Sequence, residues 1–227
     1  MDDAGPYIAL AVMAVLATAA QLLWQRPGSR RAQRIARALA RRPRTWIGAA
    51  RGGRVRVTGR IHRDAELLEA PLSRRPCVVC ELLVEVPSNR GGVSLARRLA
   101  NLQQARPFLL TDETGTARVD TAGPFFLGVP YDHAGKASGP YPGKHRALSE
   151  FLESRGINAA DWRGHWRPVH YAEGVLERGE LVSVGGDSRR EIDQAGDSPN
   201  LRSPPERLVL RGSEAQPLLI GRVGAES

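Results

Sequence analysis

Cysteine is scarce in this 227-residue chain, which has two cysteines and five histidines. A RING domain binds two zinc ions with about eight cysteine or histidine ligands, so the sequence excludes a RING domain. Two cysteines also exclude a disulfide-rich secreted scaffold, because small secreted domains without a large core carry several bridges. Aromatic residues make up 5% of the chain and glycines number 24, which predicts a modest core and many turns.

Acidic residues are missing between Gln25 and Arg60, where twelve arginines lie. The twelve positive charges of these arginines exceed the formal net charge of +9, so the remainder of the chain has a net charge of −3. The basic excess therefore belongs to this strip and not to the region that follows it. That distribution is typical of a positive-inside signal beside a membrane, and we expect no nucleic-acid partner.

Charged residues are also absent from residues 6–24, PYIALAVMAVLATAAQLLW. As a helix this stretch is about 28 Å long, close to the thickness of a bilayer core. Tyr7 and Trp24 stand at its two ends, where amphipathic rings favour the headgroup region. The pattern predicts a single membrane-spanning helix, with these two aromatic residues as its anchors and the cell membrane as its location.

Two other interpretations of residues 6–24 stay open, a buried core helix and a signal peptide cleaved after Ala20. A signal peptide carries basic residues before its apolar stretch, whereas Asp2 and Asp3 precede this one and the arginines follow it. This order favours an anchor with its N-terminus outside and the C-terminal domain in the cytosol.

A basic amphipathic helix is predicted over residues 29–42, SRRAQRIARALARR, with Ser29 as N-cap. The small and apolar residues of its predicted face are Ala32, Ile35, Ala36, Leu39 and Ala40. Anionic lipid headgroups would attract the arginines of the other face. The predicted lipid-surface residues are Arg30, Arg31, Arg34, Arg37, Arg41 and Arg42. The alternative is a solvated charged linker.

Short alternating runs separated by Gly, Pro and Asp begin after residue 50 and predict a β-rich domain over 51–222. Strands are expected at 54–58, 77–86, 108–111, 116–120, 166–176, 181–184, 208–210 and 218–220. One helix is expected at 144–155, with Leu148, Phe151 and Leu152 on one face, and residues 112–115 are expected to close a β-hairpin. A long loop is expected at 121–145 and an exposed insertion at 186–206.

The predicted fold class is mainly β with minor α, an antiparallel barrel-like domain preceded by one transmembrane helix. The expected organisation is an extracytosolic tail at 1–5, the span at 6–24, a basic juxtamembrane segment at 25–50, the β domain, and a tail at 223–227. Residues 177–180 are expected to close a hairpin, and strands 208–210 and 218–220 are expected to pair.

Three runs in this domain resemble the GIDE domain, also called BAM for "beside a membrane". They are EAPLSRRPCVV at 69–79, PFLLTDETG at 107–115 and YAEGVLERGELVSVGG at 171–186, with PLLI at 217–220 near the end. The positions that carry the resemblance are Pro71, Leu72, Pro76, Cys77, Asp112, Gly115, Gly179 and Glu180. The similarity covers most of residues 53–222.

The GIDE module occurs in mitochondrial E3 ubiquitin ligases and bacterial relatives, and in the ligases a RING follows it. Ubiquitin transfer in that family is implied by the RING, whose ligands this chain lacks. The resemblance therefore implies a sensor or scaffold module at a membrane, and we do not expect this chain itself to be a ligase.

Catalytic and metal-binding patterns are weak in the sequence. Cys77 and Cys80 have C-x-x-C spacing, but on one strand residues three apart point to opposite faces, so their thiols are expected to diverge in the core. Asp161, His165 and His170 have no defined ligand geometry. We expect no catalytic residue, no metal and no cofactor.

The sequence thus favours a single-pass membrane protein whose GIDE-like domain binds a protein partner at the cytosolic membrane surface. One alternative is a recognition subunit of a ligase-like or proteolytic complex with a separate catalytic chain. Another is a binder of anionic lipid surfaces. The oligomeric state is not readable from the sequence.

Overall fold

The computed structural model describes residues 26–62, 65–90, 93–138, 145–158, 168–193 and 206–223. The predicted span at 6–24, with Tyr7 and Trp24, lies outside these ranges, as do Asp161 and His165. Neither of the two described helices has the length and apolar character that a bilayer crossing requires.

The described chain forms two helices and thirteen strands. The helices are α1 (Arg26–Ala40) and α2 (Arg146–Ser154). The strands are β1 (Gly53–Ile61), β2 (Leu68–Glu69), β3 (Pro76–Cys77), β4 (Val79–Arg90), β5 (Val93–Ala105), β6 (Phe108–Asp112), β7 (Gly115–Asp120), β8 (Phe125–Gly128), β9 (His133–Ala137), β10 (Val169–Leu176), β11 (Leu181–Ile192), β12 (Glu206–Arg211) and β13 (Leu218–Arg222).

Five strands close into a barrel-like sheet in the order β1-β6-β7-β12-β11, with β11 returning to β1. Strands β13 and β8 extend the sheet beyond β11. Most pairings are antiparallel, while β12 with β7 and β13 with β8 are parallel. Inward-facing aliphatic residues such as Val57, Leu110, Val184, Leu208 and Ile220 fill the core. The β-rich, barrel-like prediction is confirmed.

Strand β11 has twelve residues, three times as many as the predicted strand at 181–184, because it has two different neighbours on one edge. Residues 182–185 pair with β13 and residues 187–192 with β12, while β1 occupies the other edge. The expected pairing of 208–210 with 218–220 is wrong, since β12 and β13 lie end to end along β11. The predicted insertion at 186–206 is also wrong over 186–192, which belong to this strand.

A four-stranded antiparallel sheet, in the order β5-β4-β10-β9, forms the second layer. Helix α2 packs on it through Leu148, Phe151 and Leu152, which confirms the predicted helix and its buried face. The polar turn at 177–180 was expected to close a hairpin, but β10 pairs with β4 and β9 whereas β11 belongs to the barrel. That turn carries the chain from one sheet to the other.

Residues 121–145 are not one long loop, because β8 and β9 lie within them. Two of the glycines that predicted a loop, Gly128 and Gly135, lie inside these strands at close approaches. At Gly128 an added Cβ would stand 2.9 Å from the Cβ of Ile35 on α1, and at Gly135 it would stand 2.5 Å from the Tyr171 hydroxyl oxygen. These two glycines therefore permit close packing of the strands that contain them and do not mark a loop.

Candidate functional site

Helix α1 is packed against the barrel-like sheet and is not a solvated linker. Ile35 and Leu39 are 7% and 3% exposed and lie over β8, β13 and β11. These strands present Gly128, Gly221 and Gly185 to the helix; at Gly185 an added Cβ would stand 2.8 Å from Leu39 Cδ2. Missing side chains let the helix lie close to the sheet, and burying its two aliphatic residues is worth about 1.5–3 kcal/mol each.

The predicted helix is confirmed in place, but its start and part of its face are different. The described helix runs from Arg26 to Ala40, so Ser29 lies inside it and is not its N-cap. Ala36 and Ala40 are exposed, whereas Ala38 is half-buried. The buried face of the helix is therefore rotated from the predicted one, and it includes the polar residue Arg31.

Arg31 joins α1 to the second sheet through a buried carboxylate. Its Nη1 donates to Glu81 Oε1 at 2.8 Å, and Glu81 on β4 is only 2% exposed. Gln103 Nε2 donates to the same oxygen at 2.9 Å, and the Tyr131 hydroxyl also bonds to the carboxylate. Burial raises the pKa of Glu81, and the charge of Arg31 opposes that rise. One helix thereby contacts both sheets.

Arg56 on β1 holds the C-terminal end of α1. Its Nη1 donates to the carbonyl oxygens of Leu39 and Arg42 at 3.3 and 3.4 Å, and its Nε donates to Ser183 Oγ at 3.0 Å. A cation at this position also interacts favourably with the helix dipole. Immediately beyond, Thr45 N donates to Arg56 O at 2.8 Å, so the chain leaving the helix runs along β1.

The turn at 112–115 fixes the part of the chain that follows α1, residues 47 and 48. Asp112 Oδ2 accepts from Ile47 N at 2.9 Å, and Thr114 Oγ1 accepts from Gly48 N at 2.8 Å. Asp112 Oδ1 accepts from the backbone N–H of Thr114 and Gly115. Burial alone would raise the pKa of Asp112, but these hydrogen bonds lower it overall.

Arg190 on β11 closes the attachment from the other side. Its guanidinium donates to the carbonyl oxygens of Ile47, Gly48 and Ala50 at 3.0–3.1 Å. The backbone N–H groups of Ile47 and Gly48 are therefore bonded to one turn, and one arginine donates to the carbonyl groups of Ile47, Gly48 and Ala50. The segment from 31 to 50 follows the surface of the β domain and is bonded to it at four separate places.

The outward side of this segment is strongly cationic, and we call it the basic face: Arg34, Arg37, Arg41, Arg44 and Trp46. The first three arginines are exposed at helical spacing on the side of α1 away from the sheet. The Arg44 guanidinium lies 4.1 Å from the centre of the Trp46 ring, and Trp46 is 38% exposed. A cation stacked on an exposed indole suits the interface between headgroups and water.

Five of the six predicted lipid-surface arginines divide between two roles. Arg34, Arg37 and Arg41 belong to the basic face, whereas Arg31 turns inward to Glu81 and Arg42 is half-buried near Gly185. The side chain of Arg30 lies outside the described residues. A helical pattern alone could not separate the two groups, because the acceptor for Arg31 is Glu81 on a strand distant in sequence.

The positions of the GIDE resemblance fall in three turns. Pro71, Leu72, Pro76 and Cys77 belong to the first, Asp112 and Gly115 to the turn that holds residues 46–50, and Gly179 and Glu180 to the turn between the sheets. Gly179 has a φ of +79°, which favours glycine there, and Glu180 accepts from Arg222 at 3.0 Å.

Glu173 organises the first of these turns and gave no signal in the sequence. Its carboxylate is fully buried and accepts from Leu72 N and Ser73 N, both at 2.8 Å. Arg74 adopts a φ of +57°, which bends the chain around this acceptor. Glu81 and Glu173 are the functional candidates that sequence patterns missed, since each was a charged residue within an apolar strand.

Metal chemistry finds no support among the residues described: no group of three or more His, Cys, Asp and Glu side chains is arranged to hold an ion there. His170 lies on β10, and burial, together with the charge of Lys136, lowers its pKa to about 4. The other two residues of that sequence pattern lie outside the described ranges.

Comparisons with protein-family models, curated proteins and solved structures find no match to this chain. The resemblance to the GIDE family therefore rests on the sequence runs that carry it.

Proposed function

We propose that this chain is a single-pass membrane protein whose GIDE-like β domain binds a protein partner at the cytosolic surface of the membrane. The span is the apolar stretch at 6–24, and the N-terminus lies outside. The observation that carries the proposal is the attachment of residues 31–50 to the β domain. A domain bonded along the segment that follows the span is held beside the bilayer in one orientation, which suits a module that meets its partner there.

Charge supports this orientation. The basic face lies on the outer side of α1, and each arginine close to an anionic surface contributes up to about 1 kcal/mol, falling off within a Debye length of about 8 Å. The inward residues of α1 are already satisfied by the domain. The helix can therefore meet headgroups with its outer arginines while it stays packed on the sheet.

Sheet edges offer a place for the partner. In the part of the chain that the structure describes, β5 and β9 each pair with one strand only and form the two edges of the four-stranded sheet. An extended segment of a partner can add to such an edge through backbone hydrogen bonds. Asn101 on β5 and Ala134 on β9 are exposed positions on these strands.

Photo-crosslinking in living cells tests the partner. A photoreactive residue is placed in the full chain at Asn101, at Ala134, or at the control position Arg118 on the barrel strand β7, which is equally exposed. We expect a discrete protein adduct from at least one edge position and none from the control. No adduct from either edge, or the same adduct from all three positions, would contradict the edge-binding proposal.

Protease protection tests the topology on which the proposal depends. A C-terminally tagged full chain is treated with protease in spheroplasts, with and without detergent. A tag that is protected until detergent is added is the expected result, because the arginines follow the span. Digestion in intact spheroplasts would mean that the domain is exported and would overturn the cytosolic assignment.

Anionic-lipid binding by the basic face is the second candidate function, and the exposed arginines favour it. The full chain is reconstituted with brominated anionic lipids, and the quenching of Trp46 is isolated by subtracting the signal of Trp46→Phe, since the chain has four tryptophans. We expect quenching that falls when Arg34, Arg37 and Arg41 are replaced by Gln.

The matched control replaces three exposed arginines of the domain, Arg97, Arg106 and Arg118, by Gln. Both triple variants remove the same charge, but only the first removes it from the basic face. Equal quenching in the two variants, or quenching of the same size with zwitterionic lipids, would exclude lipid binding by this face.

A further inference from the structure

Two exposed aromatic residues flank helix α1, one beside its first half and one beyond its end. Phe126 on β8 is 47% exposed, and the guanidinium of Arg31 on α1 lies 5.9 Å from the centre of its ring. Trp46 follows the other end of the helix, with the guanidinium of Arg44 over its ring. The combination of an exposed aromatic ring and an arginine therefore occurs on both sides of α1.

Phe126 lies at an edge of the barrel-like sheet, on the face that α1 covers. In the part of the chain that the structure describes, β8 pairs with β13 alone. Alternation along the strand puts Phe126 on the same face as Gly128, which meets Ile35 of α1. Its register partner Leu219 on β13 is half-buried on that face. We call Phe126 and Leu219 the apolar edge.

Helix α1 crosses the sheet inward from the apolar edge. Ile35 lies over Gly128 on β8, and Leu39, one turn later, lies over Gly185 on β11. Strand β13 is between these two strands. The helix thus runs from β8 towards the middle of the sheet, so its first residues lie on the side of the apolar edge.

The apolar stretch at 6–24 ends close to the same place. Arg26 precedes Arg31 by five residues, which is about 8 Å of helix axis. Trp24 is two residues before Arg26, and even an extended link of that length adds no more than about 7 Å. The last residue of the stretch is therefore within about 15 Å of Arg31, which lies beside Phe126.

We propose that the apolar edge is a membrane-contact surface and that Phe126 enters the headgroup region of the bilayer beside the end of the span. The proposal rests on the single-pass anchor proposed above, but it adds a second contact that an anchor does not require. Aromatic rings favour the interface between acyl chains and water. The guanidinium of Arg31, whose side chain is 28% exposed, would then lie among lipid phosphates.

The outer edge of β8, which pairs with nothing that the structure describes, limits the depth of this contact. Its backbone N–H and carbonyl groups would have no partners in hydrocarbon, whereas water and headgroups can bond to them. The strand therefore stays among the headgroups, and the ring of Phe126 reaches the top of the acyl chains. Contacts at Phe126 and Trp46 would keep α1 along the membrane surface.

Depth-dependent quenching in the full chain tests the proposal. Phe126→Cys is labelled with the fluorophore NBD and reconstituted into vesicles of phosphatidylcholine and phosphatidylglycerol. Cys77 and Cys80 are fully buried, and the wild-type chain treated in the same way gives their background. The matched control is Arg118→Cys, an exposed position on β7, four strands from β8 in the sheet order.

We expect lipids with a nitroxide near the top of the acyl chain to remove most of the emission at position 126. Lipids with the nitroxide at the chain end should remove less, because the strand edge stays among the headgroups. Neither lipid should change the emission at position 118.

Flotation of the labelled chain with the vesicles is measured in the same samples, and it separates this proposal from the one on which it rests. A chain that floats while position 126 is quenched no more than position 118 overturns the membrane contact and leaves the anchor intact. Emission at 126 that is shielded from iodide but insensitive to the nitroxide lipids would mean that protein covers this site, which also overturns the contact. A chain that does not float overturns the anchor and the contact together.

A second variant keeps an aromatic ring at the site, because cysteine removes the ring that makes the contact. Benzoylphenylalanine replaces Phe126 in the full chain, and the vesicles contain a lipid that carries an alkyne. Irradiation should give a lipid adduct at position 126 and none when the same residue replaces Arg118. Equal lipid adducts at the two positions, or adducts to protein alone at 126, would contradict the membrane contact.

Discussion

Arg31 on α1 donates to Glu81 on β4 at 2.8 Å, and this bond joins the helix to the four-stranded sheet, whereas the apolar residues of the helix pack on the barrel-like sheet. Ile35 and Leu39, one and two turns further along, pack on the barrel-like sheet. A single helix thus contacts both layers of the domain. The orientation of α1 therefore depends on the buried carboxylate of Glu81.

Removing Arg31 should destabilise the fold more than removing any arginine of the basic face. Arg31→Met leaves the charge of Glu81 buried without its cation, which costs about 3–5 kcal/mol, whereas Arg37→Met changes the free energy of unfolding by about 0.5 kcal/mol or less. Urea unfolding of the full chain in detergent measures both. The double variant Arg31→Met/Glu81→Met should recover part of the loss, and equal effects of Arg31→Met and Arg37→Met would show that the ion pair is unimportant.

Glu81 should also make the stability of the protein depend on pH, with a sign opposite to that of a carboxylate whose pKa is lowered by folding. Burial raises its pKa above the value of 4.5 that the unfolded chain has. The folded state therefore binds the proton more tightly, and this contribution to stability is present below pH 4.5 and lost as pH rises through the folded pKa. The difference in unfolding free energy between wild type and Glu81→Gln should change over that interval. A constant difference across it would show that Glu81 ionises normally.

His170 changes stability in the opposite direction. Its pKa of about 4 lies below the ordinary value of 6.5, so the unfolded chain binds the proton more readily between these values. Stability from this group is present above pH 6.5 and is lost as pH falls towards 4. His170→Gln should flatten that acid limb of the unfolding curve. The ring should titrate near pH 4 by NMR, and titration near 6.5 would contradict the burial of its neutral form.

Asp112→Asn should detach residues 46–50 while keeping the turn in place. Asn retains the acceptor that serves Thr114 and Gly115, but its amide nitrogen then faces the N–H of Ile47, which loses its acceptor. We expect a loss of about 1.5–3 kcal/mol at neutral pH and faster hydrogen exchange at Ile47. Because hydrogen bonding lowers the pKa of Asp112, the difference from wild type should shrink as pH falls below 3.8.

Asp120→Asn is the matched control for Asp112→Asn. Asp120 also has a lowered pKa and accepts from Ala122 N and Arg211, but it does not touch the juxtamembrane segment. This variant should lose stability without changing the exchange rate at Ile47. Similar exchange at Ile47 in the two variants would contradict the local role of Asp112.

Local sequence patterns predicted the helices and strands better than they predicted which strands pair with each other. The hairpin of β6 and β7 follows from the Asp–Glu–Thr–Gly turn, and α2 follows from the spacing of Leu148, Phe151 and Leu152. The partners of β10, β11, β12 and β13 depend on contacts distant in sequence. Hence the turn at 177–180 joins two sheets although its composition is that of a hairpin.

The candidate sites also depend on contacts between residues that are distant in sequence, which local patterns could not predict. The predicted basic helix is present, but the inward direction of Arg31 depends on Glu81, fifty residues away. Similarly, the strand predicted at 77–86 is interrupted at Val78, whose N–H donates to Leu176 O and whose carbonyl accepts from Arg106 N. Periodicity describes one element at a time, so it cannot indicate where a distant acceptor interrupts the strand or reverses the role of an arginine.

The glycines beneath α1 give the sharpest test of its close packing. At Gly128 an added Cβ would lie 2.9 Å from the Cβ and Cγ2 of Ile35, and a Cβ cannot move unless the helix moves. At Gly185 the nearest atom is Leu39 Cδ2 at 2.8 Å, the end of a side chain that can change rotamer. Gly128→Ala should therefore cost about 1–3 kcal/mol and speed hydrogen exchange along α1, while Gly185→Ala costs less. If both variants leave exchange in α1 unchanged, the helix is not held against the sheet, and the fixed orientation of the domain beside the membrane loses its support.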